Sequence, residues 1–120
     1  MGTVQVRSLD QADETRSFPN GVVEMVTIGD TMLGRARFKP GWRWSNDVKP
    51  IAKTEWCMVL HEGYCVSGSA IVQAEDGSET RIGPGDGYMI ESGHDAWVVG
   101  DEPWVTVDFS QAMVDYAKPS

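Results

Sequence analysis

The stretch of residues 83–97, GPGDGYMIESGHDAW, decides the fold of this chain. It begins with a glycine-rich corner at residues 83–87, which favours a sharp change of chain direction. A short apolar run at residues 88–91 follows, and the turn residues Ser92 and Gly93 end it after only four positions. A run this short between two turn signals is typical of a β-strand and is too short for a helix. The stretch therefore predicts an all-β protein with tight turns.

The same pattern of short strands and turn signals extends in both directions from this stretch. Two tight-hairpin dipeptides, Gly29-Asp30 and Asp76-Gly77, each separate a pair of strand-like runs. The predicted strands cover residues 4–9, 22–28, 31–38, 55–60, 62–67, 69–75, 78–82, 88–91, 96–99 and 104–109. Residues 10–19 are polar and acidic and are predicted to form a loop or one short helical turn. Strands at a spacing of about 8–12 residues indicate a β-sandwich or barrel. No segment before residue 110 has sustained helical periodicity, and residues 111–116 are expected to form one or two helical turns.

The composition of the chain narrows the classes of partner. Its 120 residues match one domain of common size, so residues 1–120 are predicted to form a single domain. The 18 acidic side chains outnumber the 10 basic ones, which leaves a net charge of −8. Because this charge repels phosphate backbones and anionic lipid, we expect neither nucleic acid nor a membrane as a partner. With two cysteines and no visible signal segment, the expected location is cytoplasmic.

Two segments resemble the conserved motifs of the cupin superfamily. Residues 83–97 are similar to the second motif, in which Gly-Asp, a short strand and Pro-x-Gly precede a histidine. Residues 61–68 are similar to the latter half of the first motif, in which a glutamate precedes the closing glycine by seven positions. The similar region covers roughly residues 53–105, and the chain also resembles small single-domain bacterial cupin proteins. The resemblance implies a small jelly-roll barrel that encloses a pocket and forms a homodimer.

The resemblance also implies where metal ligands are expected. Cupins usually have three histidines and one glutamate at these positions, and this chain differs. His61 occupies the usual glutamate position, and Glu55 and Cys57 occupy the two upstream histidine positions. In the second motif, His94 lies two residues before the usual histidine position. The metal ligands expected from the resemblance are therefore Glu55, Cys57, His61 and His94, for a divalent ion such as Zn, Fe, Mn or Ni.

The residue types agree with this ligand set, although they also permit a simpler interpretation. Glu55, Cys57 and His61 alternate along the sequence, so on an extended chain they can face one interior. A thiolate, an imidazole and a carboxylate together can bind Zn²⁺ or Fe²⁺. Alternatively, Cys57 is a small buried hydrophobic residue, Glu55 is a solvated carboxylate, and no metal is bound.

Three residues are predicted to be catalytic. His61 and His94 are the two histidines of the chain, and imidazole is the side chain that ordinarily titrates near neutral pH. Glu91 is the third candidate, because a carboxylate at the mouth of an apolar barrel can act as a general base. The alternative for each histidine is a hydrogen-bonded core residue, and the alternative for Glu91 is an exposed turn carboxylate.

The predicted function is an enzyme that acts on a small organic molecule inside the barrel. The five tryptophans can supply flat apolar walls for such a pocket. The reaction is either a metal-assisted lyase, isomerase or oxygenase step or a metal-free proton transfer. One alternative is a ligand-binding or sensory module that needs no metal. Another is a structural partner subunit whose pocket is filled by its own side chains.

Overall fold

The computed structural model describes residues 2–118 and contains two antiparallel β-sheets. Its nine strands, β1 to β9, are Glu14–Phe18, Gly21–Ile28, Thr31–Phe38, His61–Ser67, Ser69–Ala74, Glu79–Ile82, Gly87–Ile90, His94–Val99 and Trp104–Asp108. The larger sheet has the order β1-β2-β3-β9-β4-β7, and the smaller has the order β6-β5-β8. The prediction of an all-β fold is therefore confirmed.

The turn dipeptides lie where the sequence predicts hairpins. Gly29-Asp30 joins β2 to β3, and Asp76-Gly77 lies in the turn between β5 and β6. Gly29 and Gly77 have φ angles of 56° and 89°, in the left-handed region that glycine adopts without steric cost. Both hairpins are thus determined by local turn chemistry.

One hydrophobic core contains residues from both sheets. The inward positions of β3 and β9 alternate with partly exposed ones, and they supply Ala36, Phe38 and Trp104 to the core. The smaller sheet supplies Ala96 and Val98 from β8. Because the inner faces of the two sheets share this core, inward residues at the strand ends lie next to it.

The two sheets are not closed into a barrel, which corrects one detail of the prediction. Among the described residues, β6 pairs only with β5, and β7 pairs only with β4. The corner at residues 83–86 carries the chain from one sheet to the other, so these two strand edges stay apart. A groove of about 740 Å³ is lined by residues of β5, β6 and β7 and by His94.

The segment between β3 and β4 differs most from the prediction. It contains two short helices, α1 (Trp44–Asp47) and α2 (Lys49–Ala52), which are too short to produce a helical periodicity in the sequence. The predicted strand at residues 55–60 is wrong, because this segment forms only an isolated bridge at Cys57. The predicted strand at residues 4–9 is also wrong, because this segment is irregular up to the 3₁₀ turn Leu9–Gln11, and the predicted loop at residues 10–19 contains β1. The expected terminal turn is present as a 3₁₀ helix, Gln111–Asp115. Within residues 2–118, no helix has the length and apolar character that crossing a membrane requires.

Candidate metal centre

Three of the predicted site residues come together in the core. One ligand atom from each of Cys57, His61 and His94 lies within 4.8 Å of the other two. His61 is the first residue of β4 in the larger sheet, and His94 is the first residue of β8 in the smaller sheet. The cluster therefore joins the two sheets, with Cys57 contributed by the segment that precedes β4.

Backbone hydrogen bonds hold Cys57 next to His94. The Cys57 N–H donates to the His94 carbonyl at 2.8 Å, and the Gly93 N–H donates to the Cys57 carbonyl at 2.8 Å. Gly93 has a φ of 93°, so the turn before β8 uses the conformational freedom of glycine. Cys57 thus reaches the cluster by bridging to His94 across the fold. The sequence predicts the same position for a different reason, which is a strand shared with His61.

His61 is oriented by Asp108, a residue that the sequence argument missed. The imidazole Nδ1 lies 3.0 Å from the Asp108 Oδ2 atom, and Asp108 is only 2% exposed. The register of β4 and β9 explains the contact, because Gly63 pairs with Asp108 and His61 lies two residues away on the same face. With the proton on Nδ1, the lone pair of Nε2 is free to bind a metal. Nε2 lies 3.8 Å from the Cys57 Sγ atom.

His94 has the same arrangement with a backbone acceptor. Its Nδ1 atom lies 2.8 Å from the Glu91 carbonyl oxygen, to which an Nδ1–H group can donate. Nε2 is then the nitrogen that remains to act as a ligand. The ring centroids of His61 and His94 are 5.3 Å apart. Each histidine therefore has its Nδ1–H group directed at an oxygen acceptor outside the cluster, so Nε2 is the nitrogen that becomes a ligand once it is deprotonated.

The cluster changes the protonation of its own members. Burial by itself raises the pKa of the Cys57 thiol, but hydrogen bonds with His61 and His94 outweigh burial and lower it to about 6. Burial by itself lowers the pKa of His61, but hydrogen bonds with Asp108 and Cys57 raise it to about 9. At neutral pH the cluster without a metal ion therefore contains a thiolate next to an imidazolium.

The two predicted carboxylates lie outside this cluster. The side chain of Glu55 is 78% exposed, and its carboxylate lies 3.2 Å from the Lys49 ammonium group. Glu91 is exposed and lines the groove between the sheet edges, where its backbone carbonyl holds His94. Glu55 does not join the cluster because the chain around it is not a strand, so the expected alternation toward one interior does not apply.

An aromatic cavity adjoins the cluster. Its volume is about 30 Å³, and its walls include Phe38, Trp42, Trp44, Trp104 and Tyr116. A cavity of this volume holds about two water molecules. The ring of Tyr116 lies 5.4 Å from that of His61, and burial raises the pKa of its phenol well above the ordinary value. Tyr116 is a second site residue that the sequence argument missed, since it lies in the chain's terminal turn.

The donor atoms fit a divalent transition metal. For a tetrahedral ion with a sulfur at about 2.3 Å and a nitrogen at about 2.0–2.1 Å, the two donors are about 3.5 Å apart. The observed separation of 3.8 Å between Cys57 Sγ and His61 Nε2 is close to this value. A thiolate with two imidazoles suits Zn²⁺, Fe²⁺ or Ni²⁺ better than Mn²⁺, which prefers oxygen ligands.

Comparison with solved structures identifies the fold. A cupin-like protein from Thermotoga maritima has 18% identity and a TM-score of 0.57, and the match covers 82% of this chain and 74% of that one. A Klebsiella pneumoniae protein with a double-stranded β-helix domain has 19% identity and a TM-score of 0.57, with 88% of both chains covered. Ectoine synthase from P. lautus has 15% identity and a TM-score of 0.62, with 92% and 83% covered.

The chain therefore has the double-stranded β-helix fold, the fold of these cupin-like neighbours, with a Cys/His cluster in its core. The resemblance in the two sequence motifs is confirmed at the level of the fold. No protein-family model matches the chain. No curated protein has a matching sequence.

Proposed function

We propose that this protein is an enzyme that acts on a small organic molecule with the help of a divalent metal ion held by Cys57, His61 and His94. One observation carries the proposal. Each histidine has its Nδ1 atom next to an oxygen acceptor, and one ligand atom from each of Cys57, His61 and His94 lies within 4.8 Å of the other two. Fixed tautomers and converging donors are the features that distinguish a metal site from a chance group of polar side chains. The cupin fold of an enzyme such as ectoine synthase supports the proposal.

The number of ligands favours catalysis over a structural role. Structural zinc sites usually have four protein ligands, whereas catalytic sites have three and leave one position for water or substrate. A bound divalent ion would supply Lewis-acid activation of a substrate oxygen or of a water molecule. The fold leaves the choice between lyase, isomerase and oxygenase chemistry open.

The residues around the cluster have separate tasks in this proposal. Asp108 keeps the proton of His61 on Nδ1, and its other oxygen accepts a hydrogen bond from the Ser110 N–H at 2.9 Å. Burial raises the pKa of both Tyr88 and Tyr116, so their phenols stay protonated and can donate to a substrate. The aromatic walls exclude bulk water from the reacting groups, which strengthens polar interactions inside the cavity.

The proposal is tested by elemental analysis of protein purified without added metal. We expect close to one equivalent of a transition metal in the wild-type chain and a loss of that metal in His61→Ala and His94→Ala. Cys57→Ser should also lose it, whereas Cys65→Ser, which changes the other buried cysteine, should retain it. An absence of metal after reconstitution with zinc, iron and nickel would contradict the proposal.

A second candidate function is ligand binding without catalysis. The lining of the cavity favours it, because aromatic side chains form much of its wall and can hold a small ligand without a metal ion. A ligand-binding protein would take up its ligand without turnover, and it would do so equally well after the metal is removed with a chelator. Loss of ligand binding on chelation would favour the enzyme.

We also propose that two copies of the chain associate through the outer face of the larger sheet. Tyr64 and Val66 of β4, Met89 of β7 and Phe109 after β9 are all exposed there. Tyr64 pairs with Val107 of β9, and Glu62, two residues before Tyr64 on β4, pairs with Met89, so one acidic residue shares this part of the face. A group of exposed apolar side chains on one sheet face is typical of an interface, and on a chain with a charge of −8 it is a place where two copies meet with little repulsion.

Light scattering coupled to size-exclusion chromatography tests this association. The wild-type chain is expected to have the mass of a dimer, and Tyr64→Glu is expected to have the mass of a monomer. Val6→Glu is the matched control, because Val6 is an exposed apolar residue of the N-terminal segment outside the sheets. A monomeric wild-type chain would refute the dimer. The single domain, the cytoplasmic location and the exclusion of nucleic acid as a partner stay predictions from the sequence.

A further inference from the structure

Two buried indole groups next to the cluster make no hydrogen bond of normal geometry with their N–H groups within residues 2–118. They are the side chains of Trp42 and Trp104. Both side chains line the aromatic cavity that adjoins Cys57, His61 and His94. A buried tryptophan usually finds a partner for its N–H group. A phenylalanine would provide the same flat wall without a buried donor, so the two N–H groups need an explanation.

The two tryptophans differ in their surroundings. The Trp104 N–H lies close enough to the Cys65 thiol to oppose the rise in pKa that burial causes there. Sulfur is a weak acceptor, but it accounts for the direction of this indole. Trp42 is 2% exposed, and its ring packs 4.1 Å from that of Phe38 between centroids. No side chain within the described residues offers its N–H an acceptor.

We infer that the Trp42 indole N–H binds an oxygen acceptor of the ligand, so that the cavity takes a small molecule with a carboxylate or carbonyl group. The inference rests on the proposed use of this cavity as a binding site. It names a substrate class and a binding residue that the metal proposal does not require.

The chemistry of the cavity explains why the acceptor is a small oxygen-bearing group. The walls are aromatic, so only a flat group can lie between them, and the volume of about 30 Å³ admits the polar end of a molecule. No lysine or arginine lines the cavity among the described residues. A carboxylate therefore needs the cluster for charge balance, whereas a neutral carbonyl does not.

The charges at the cluster make the binding of an anion depend on the metal ion. Without the ion, a carboxylate would lie next to the Cys57 thiolate and the Asp108 carboxylate, which both line the cavity and repel it. A bound divalent ion would offset these two negative charges and attract the carboxylate directly. Acetate is thus expected to bind better with a divalent ion present, and acetamide is expected to bind in both states.

Nuclear magnetic resonance of the ¹⁵N-labelled tryptophan side chains tests the inference directly. The wild-type chain has five tryptophans and so five indole N–H resonances. Through-space contacts with Phe38 narrow the assignment to Trp42 and Trp104, and the resonance that is lost in Trp104→Phe then identifies the other as that of Trp42. Acetate and acetamide are titrated separately into the zinc-loaded protein and into the chelator-treated protein.

The expected result is a saturable downfield shift of the Trp42 resonance, at least fivefold larger than the shifts of Trp56 and Trp97. Trp42→Phe should then weaken acetamide binding by about tenfold in calorimetry, the value of one hydrogen bond. Trp104→Phe, the matched control, should change it by less than threefold. Equal shifts of all five resonances, or no shift, would overturn the inference. The inference would also be overturned if a water molecule stayed in contact with the Trp42 N–H group at saturating concentrations of acetate or acetamide.

These results separate the inference from the metal proposal. If zinc binds stoichiometrically and the Trp42 resonance responds to neither probe, the substrate class is wrong and the metal site stands. If zinc does not bind and acetamide still shifts the Trp42 resonance, the metal site is wrong and the role of Trp42 stands.

Discussion

Replacing Asp108 by asparagine tests the orientation of His61 with the smallest possible change. Asp108 is fully buried and accepts two hydrogen bonds, from the His61 Nδ1–H group at 3.0 Å and from the Ser110 N–H group at 2.9 Å. An asparagine has the same shape but only one acceptor oxygen. If that oxygen stays with Ser110, the amide NH₂ group faces His61. His61 must then carry its proton on Nε2, the atom proposed to bind the metal.

The expected effect of Asp108→Asn follows from this change of tautomer. Loss of a partner that orients a metal-binding histidine typically costs about 10–100-fold in metal affinity. We expect a loss at the upper end, because the Nε2 lone pair is removed and not merely misdirected. The free energy of unfolding should fall as well, by about 1–3 kcal/mol, because the buried hydrogen bond between His61 and a charged carboxylate is lost.

A competition titration of zinc against a chromogenic chelator measures the change in affinity. Asp47→Asn is the matched control, because Asp47 is also a buried aspartate that accepts a backbone hydrogen bond, from Arg43 at 3.0 Å, but it lies outside the cluster. The control should bind zinc with wild-type affinity. Equal zinc affinity for Asp108→Asn and the wild-type chain would refute the proposed role of Asp108.

Three further predictions concern the groups around the cluster. In chelator-treated protein, the ultraviolet absorbance of the Cys57 thiolate should appear as the pH rises through about 6 and disappear below it; a midpoint near the ordinary thiol value of 9 would contradict the described contacts with His61 and His94. Gly63→Ala should lower the free energy of unfolding in urea by about 1–3 kcal/mol, because its Cβ would lie 2.5 Å from the Val107 carbonyl oxygen. Gly34 also pairs with Asp108, but a Cβ there would meet its neighbours only at ordinary contact distances, so Gly34→Ala should lower the free energy of unfolding less than Gly63→Ala does. A larger loss for Gly34→Ala than for Gly63→Ala would contradict the described packing. Glu55→Gln should leave the bound zinc unchanged, since its carboxylate is exposed; a large loss of zinc would restore Glu55 as a ligand.

The strands and turns of this protein could be predicted because their signals are local. Gly29-Asp30 and the glycine-rich corner at residues 83–87 are read directly from the sequence, and both lie where the chain turns. The helices α1 and α2 could not be predicted, because a helix of a single turn leaves no periodicity. The open edges of β6 and β7 depend on how two sheets meet, which no short stretch of sequence specifies.

The candidate site was predicted in part, and for reasons that differ among its residues. The resemblance to cupin motifs singled out His61 and His94, and both lie in the cluster. Cys57 lies in the cluster because its backbone bridges to that of His94, and the alternation of residues along the sequence does not predict this bridge. Asp108 was missed, although an acidic residue at an inward position of the alternating strand Trp104–Asp108 is a visible signal. The cavity-facing role of Tyr116 depends on the packing of the chain's end and has no sequence signal.

X-ray absorption spectroscopy of the zinc-loaded protein tests the central claim most directly, because it counts the atoms bound to the metal. The account predicts one sulfur at about 2.3 Å and nitrogen or oxygen ligands at about 2.0–2.1 Å. The sulfur signal should vanish in Cys57→Ser and persist in Cys65→Ser. A zinc ion with no sulfur ligand, with two sulfur ligands, or with a sulfur signal that survives in Cys57→Ser would contradict a site built from Cys57, His61 and His94.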